Sequence, residues 1–296
     1  MKKFLAVILA AAIAAVSLPG CGSSTSSGAA SGASNVSGSV NISGSSALQP
    51  LVKTAADKFR ESHADVSITV NAGGSGTGLQ NVSDKTVDIG ASDIFAQEKL
   101  SAEKSKVLVD HIVCVVGVGA VVNPQVNVTN LTKQQLIDIF TGKVTNWKDV
   151  GGNDQKIVLI NRPKSSGTRA LFKAYALDSK EEVEGHALTE DNSGTLKQNV
   201  AQTPGSIAYL AFPYLTDNTV KTLSVDGVKA NYENVYNGKY AIWGYEHLYT
   251  NGQPQGAVKS FLDYFSTSEC ERIIQDKGYG LSSKMAVNRA APAASK

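Results

Sequence analysis

Four times in this chain a short apolar segment ends in a small, hydroxyl-rich corner, and this repetition constrains the fold more than any other feature. The corners are Gly44-Ser45-Ser46-Ala47, Gly74-Ser75-Gly76-Thr77-Gly78, Ala91-Ser92-Asp93 and Ser165-Ser166-Gly167-Thr168. All but the third run straight into a helical pattern. Strand, corner and helix in succession is βα alternation, which points to an α/β fold around parallel strands. Ligands of open α/β sheets bind at the carboxyl edge, where the unbonded N–H groups and positive end of a helix favour an anion. Ser and Thr add donors without charge, and Gly lets the backbone approach closely. One such corner is ordinary capping and turn chemistry. Four of them, with Arg162 and Asp93 beside two, read as a cage for a small tetrahedral oxyanion.

The periodicities predict the elements between the corners. Ser39–Ser43, Val66–Val70, Val87–Gly90, Lys156–Asn161 and Ser206–Phe212 read as strands. Leu48, Leu51, Val52, Ala55, Ala56 and Phe59 share one helical face over 47–62. Thr132 is the expected N-cap of a helix ending at Phe140. Val107–Asn123, broken by Gly117 and Gly119, predicts two buried strands joined by a crossing segment, and Ala257–Ile274 predicts one amphipathic helix. No repeat of solenoid period is present.

Composition excludes several classes of function. The 296 residues suit about two domains, and 42% hydrophobic with 18% charged residues is a globular balance. Lys plus Arg number 28 against 26 acidic residues, and Lys2 and Lys3 are the only charges in the first twenty positions. Without that segment the two signs balance, which argues against nucleic acid or an anionic membrane surface as partner. Three cysteines and four scattered histidines offer neither a disulfide framework nor metal-ligand spacing. No GxSxG elbow, GxGxxG fingerprint or phosphate loop with its Lys-Ser/Thr occurs, so the reading is a binding protein without metal, cofactor or catalytic residues.

The N-terminus sets the address. Lys2 and Lys3 precede fifteen residues, Phe4–Leu18, that are too few to span a bilayer comfortably and have the form of a secretory signal peptide over 1–20. Leu18-Pro19-Gly20-Cys21 resembles the lipobox of bacterial lipoproteins, which implies diacylglyceryl modification of Cys21 and anchoring at the outer face of the cell membrane. Residues 21–39 are rich in Ser, Gly, Ala and Thr and are expected to act as a flexible linker, with an r.m.s. span on the order of 20–25 Å.

Taken together, the four corners and Gly205-Ser206-Ile207-Ala208-Tyr209 resemble the phosphate-binding lipoproteins of ABC transporters, with matching order and spacing over about Val40–Asn288. The resemblance implies a two-lobed periplasmic-binding-protein-like fold of type II. Each lobe is a mostly parallel sheet flanked by helices, and the chain crosses between them twice. Lobe I is expected over 40–116 plus 247–290 and lobe II over 117–246, with a frayed tail at 291–296. Carried over residue by residue, the phosphate contacts are Ser46, the N–H of Ala47, Ser75, Asp93, Arg162, Ser166, Gly167 and Thr168. The implied partners are inorganic phosphate and the permease of an ABC importer, with the receptor a monomer touching the membrane only through its lipid.

The chemistry of these residues fits independently. Arg162 offers a fixed fork of donors. Asp93 is rational beside an anion that carries a proton, because an ionised carboxylate only accepts. Phosphate keeps a proton near neutral pH and sulfate keeps none, so a sulfate or molybdate receptor is the weaker alternative. A phosphate-ester hydrolase would need a nucleophile–base pair or a metal cluster, and the sequence shows neither. Two departures from the family pattern stand out. Ser46-Ala47 replaces Thr followed by a bulky residue, and Lys164 stands where some members carry Asp, with Arg169 following. Lys164 and Arg169 are expected as exposed charges at the cleft mouth. Glu181, Glu182 and Glu184 read as a solvated helix end, Cys114 and Cys270 as buried thiols, and Trp147 and Trp243 as packing residues.

Overall fold

The structure is a computed structural model that describes residues 36–184 and 188–293. The leader 1–20, Cys21, most of the linker and the last three residues of the tail lie outside the described residues.

The chain opens with β1 (Gly38–Gly44), α1 (Gln49–Ser62), β2 (Val66–Ala72), α2 (Ser75–Ser83) and β3 (Ile89–Ser92), then α3 (Ala102–Lys106) and β4 (Leu108–Val122). There follow β5 (Asn130–Leu131), α4 (Lys133–Phe140), β6 (Val158–Asn161), α5 (Gly167–Ala176), β7 (Leu188–Thr189), α6 (Ser193–Gln202) and β8 (Ser206–Ala211). The last elements are β9 (Lys221–Thr222), β10 (Ser224–Val225), α7 (Tyr232–Tyr236), β11 (Trp243–Asn251), α8 (Gly256–Tyr264) and α9 (Ser268–Asp276). The main sheet has the order β2-β1-β3-β11-β4-β8-β6-β7, with β9 also on β4. Its flanks are parallel, β1 with β2 and β3 on one side and β6 with β7 and β8 on the other. The long antiparallel strands β4 and β11 join the flanks.

Why α1 forms is visible in its residues. Pro50 sits in the first turn, where its missing N–H removes no helical bond, and Leu51, Val52, Ala55, Ala56 and Phe59 are buried on one face. Each large side chain so buried contributes about 1.5–3 kcal/mol. That face packs with Phe261, Leu262 and Cys270 from α8 and α9 against β1. Thr132 caps α4 as expected, in a reciprocal capping box with Gln135. Trp147 and Trp243 are both packed in the core.

Two expectations change. Val107–Asn123 is one strand, β4, which pairs with β11 up to Gly117 and with β8 from Val118. Gly117 marks no break: a Cβ there would overlap the ring of Phe212, so glycine serves close packing. The predicted helix Ala257–Ile274 is two helices. The first ends at Tyr264, and Thr267 caps the second, its hydroxyl accepting from the Cys270 N–H at 3.2 Å. Among the described residues no helix is long and apolar enough to cross a membrane.

Candidate functional site

Three Ser-Gly-Thr triplets, at 75–77, 166–168 and 193–195, lie at the N-terminal ends of α2, α5 and α6. The start of α1, at Ser45-Ser46-Ala47, joins them. The Ser46 hydroxyl lies 3.0 Å from that of Ser193, and the Gly76 N–H donates to the Ser165 carbonyl at 2.8 Å. Each helix end carries about half a positive charge, so four of them meeting favour an anion.

Arg162 lies between β6 and α5 with only 1% of its surface exposed. One terminal nitrogen donates to Ser46 Oγ at 3.1 Å and to the Asp191 carbonyl; the other donates to Ser193 Oγ at 3.3 Å. Its sole carboxylate neighbour among the described residues is Asp191, at 4.0 Å and half exposed. Among the described residues the Arg162 Nε has no hydrogen-bond partner. A guanidinium taken out of water and left with mostly neutral acceptors is costly unless an anion completes it.

Asp93 follows β3 and is 2% exposed. Its N–H donates to Ser75 Oγ at 3.0 Å, and its Oδ2 accepts from the Thr168 hydroxyl at 2.8 Å. The Ser75 oxygen is thereby occupied and its hydroxyl proton left to donate. Ser166 is arranged alike, its Oγ accepting from the Arg169 N–H at 3.2 Å as the cap of α5. Gly167 must be glycine, because a Cβ would fall 2.8 Å from Ser75 Cβ and 2.9 Å from Asp93 Cβ. This contact lets the first turn of α5 close over Ser75.

All eight expected residues are therefore buried, and their contacts draw six of them into two groups. Ser46 and Arg162 form one group, with Ser75, Asp93, Gly167 and Thr168 in another. Ala47 is at the α1 corner, but its N–H already donates to Ser45 Oγ at 3.0 Å. Sequence reasoning missed Ser193, although its Ser-Gly-Thr triplet repeats the two that were singled out. It also missed Tyr214, whose hydroxyl donates to the Ser46 carbonyl at 2.7 Å.

Two charges sit differently from expectation. Arg169 is buried rather than exposed at a mouth, donating to the Arg162 carbonyl and lying 3.7 Å from Glu182. Glu182 is likewise buried, accepting from the Tyr209 hydroxyl at 2.8 Å, and burial pushes its pKa up to about 7 against the pull of Arg169. Glu181 and Glu184 do stay exposed, pairing with Lys173 and with Lys164. Among the described residues, Asp93 bonds to Ser75 and Thr168 and not to Arg162. Cys114 and Cys270 are buried free thiols.

Residues 29–269 match the PBP superfamily domain. The phosphate-binding protein PstS of Bacillus subtilis is 54% identical over 246 residues, covering 83% of this chain and 81% of that protein. Among solved structures, a candidate phosphate ABC transporter substrate-binding protein from Clostridium perfringens, with bound phosphate, superposes with TM-score 0.77 at 31% identity, over 82% of this chain and 99% of that one. An ABC-type phosphate transport receptor from Vibrio cholerae gives TM-score 0.67 at 26% identity, over 82% and 99%. On this fold, this site and these likenesses, the chain belongs to the PstS-like phosphate-binding proteins of the PBP superfamily.

Proposed function

We propose that the protein captures inorganic phosphate outside the cytoplasm and hands it to the permease of an ABC importer. The observation that carries this reading is the pairing, in one buried region, of an incompletely neutralised Arg162 with an acceptor, Asp93, at a junction of helix N-termini. Only an anion that also carries a proton satisfies both. Ser46, Ser75 and Ser166 supply hydroxyls, Gly167 supplies an N–H group, Arg162 neutralises charge and Ser193 joins them; Thr168 holds Asp93 with its hydroxyl, and Ala47, its N–H given to Ser45, lines the α1 corner. The relatives named above, one of them holding phosphate, support the same ligand.

In this reading the protein performs no covalent chemistry. Lobe I is 40–116 plus 247–290 and lobe II is 117–246, with the crossings within β4 and in β11. Contacts such as Thr168 to Asp93 and Arg162 to Ser46 would form as the lobes close, and the permease recognises that closed form. The receptor is a monomer tethered by lipidated Cys21 and the 21–39 linker. Equilibrium dialysis of the soluble body against radiolabelled phosphate should retain one phosphate per chain. No retention would overturn the reading.

A further inference from the structure

Glu246 is buried beside the site and has no role in it so far. Its side chain is 0% exposed, and neither carboxyl oxygen has a hydrogen-bond partner among the described residues. The pairing of β11 with β3 sets His247 opposite Ser92, so Glu246 falls opposite Asp93. Opposed residues of an antiparallel pair share a face. His247 turns to the other face, where its ring lies 2.8 Å from Asp110. A bulge in the β4 partner at this point re-aims the strand, as bulges next to functional sites do.

Among the described residues, the charged group that acts on Glu246 is another carboxylate, Asp93, and not a cation. The titratable groups facing it are Asp93, Cys114 of β4, and the hydroxyls of Tyr214, Tyr232 and Tyr279. Those hydroxyls are spent elsewhere, on the carbonyls of Ser46, Val115 and Ala47. Burial and the neighbouring Asp93 both push the Glu246 carboxyl well above the usual carboxylate range. A neutral Glu246 has an O–H to give, and Asp93 has a buried oxygen, Oδ1, without a donor. Each is the partner the other lacks.

We propose that Glu246 is a specificity-positioning residue, which as the neutral acid donates its O–H to Asp93 Oδ1 and so keeps Asp93 an acceptor towards the bound anion. With Thr168 on Oδ2, Asp93 then takes one donor on each oxygen and keeps lone pairs for the proton of phosphate. Without Glu246, Asp93 Oδ1 is left buried with no donor, the acceptor facing the anion is no longer held in place, and the filter would weaken.

This inference rests on the phosphate-receptor reading, and its test separates the two. Phosphate and sulfate affinities of the intact soluble body are measured for wild type, Glu246→Leu and Glu246→Gln. Leu should lower the phosphate-over-sulfate ratio by about tenfold or more, while Gln, whose amide still donates, should stay within about threefold of wild type. An unchanged ratio in Leu, or an equal loss in Gln, overturns the role of Glu246. A wild type that binds no phosphate overturns the receptor reading instead. Should Leu not fold, infrared spectra at about pH 8 decide: a carboxylic-acid C=O band lost in Glu246→Gln supports the neutral acid, and no such band in wild type refutes it.

Discussion

The Thr168 hydroxyl donates to Asp93 Oδ2 at 2.8 Å across 75 residues of sequence. That bond ties the first turn of α5 to the end of β3, two elements on opposite flanks of the sheet. Ser46 and Arg162 make a second tie, at 3.1 Å. In the proposed reading both ties join the two lobes, so they form as the cleft closes over phosphate.

Arg162→Met should abolish phosphate-dependent stabilisation. For wild type, phosphate at a thousand times its Kd adds about 4 kcal/mol to the folded state, a rise in Tm on the order of 10 °C for a body of this size. The variant should show no rise, while its Tm without phosphate stays level or increases, because a costly buried charge has been removed. Differential scanning calorimetry with and without phosphate checks both. Arg162→Lys should lose most of the effect too, since an ammonium cannot reproduce the planar fork.

Gly167→Ala should act on closure. Its methyl meets Ser75 and Asp93 only when α5 packs against them. An overpacking penalty of about 1–3 kcal/mol predicts phosphate binding weaker by roughly 5- to 150-fold. Urea denaturation without phosphate should be nearly unchanged if the lobes open as proposed. Equal loss in both measurements would mean that the contact is a permanent part of the fold.

Glu182 predicts a slope of stability with pH. Its pKa rises from the ordinary carboxylate value to about 7 on folding, chiefly through burial. Between pH 4.5 and 7 the folded protein therefore holds a proton that the unfolded chain has lost. Stability is full below that window and falls as pH rises through it, by on the order of 3 kcal/mol in total. Glu246 contributes in the same sense, so the difference between wild type and Glu182→Gln isolates Glu182. Urea unfolding at several pH values should give a flatter profile for Glu182→Gln.

What could be read from sequence was local chemistry. Thr132 as a cap and the helical face ending at Phe59 depend on neighbours a few residues away, and the structure has them so. Ser193 carried the same triplet and was legible in principle. Glu182 looked like one of three solvated acids because its partners, Arg169 and Tyr209, reach it through tertiary packing. Glu246 gave no signal, since only the register of β11 on β3 sets it opposite Asp93. Gly117 was misread as a break because the ring of Phe212 that requires it lies far along the chain.

The account turns on Asp93 admitting phosphate and refusing sulfate, and calorimetric titration of wild type and Asp93→Asn with each anion tests it most directly. Wild type should bind phosphate with sulfate weaker by about a thousandfold or more, because sulfate would set two acceptors face to face in a closed site. Asp93→Asn, whose amide can donate, should gain sulfate affinity and lose phosphate affinity. Equal binding of the two anions by wild type, or a variant with unaltered preference, would contradict it.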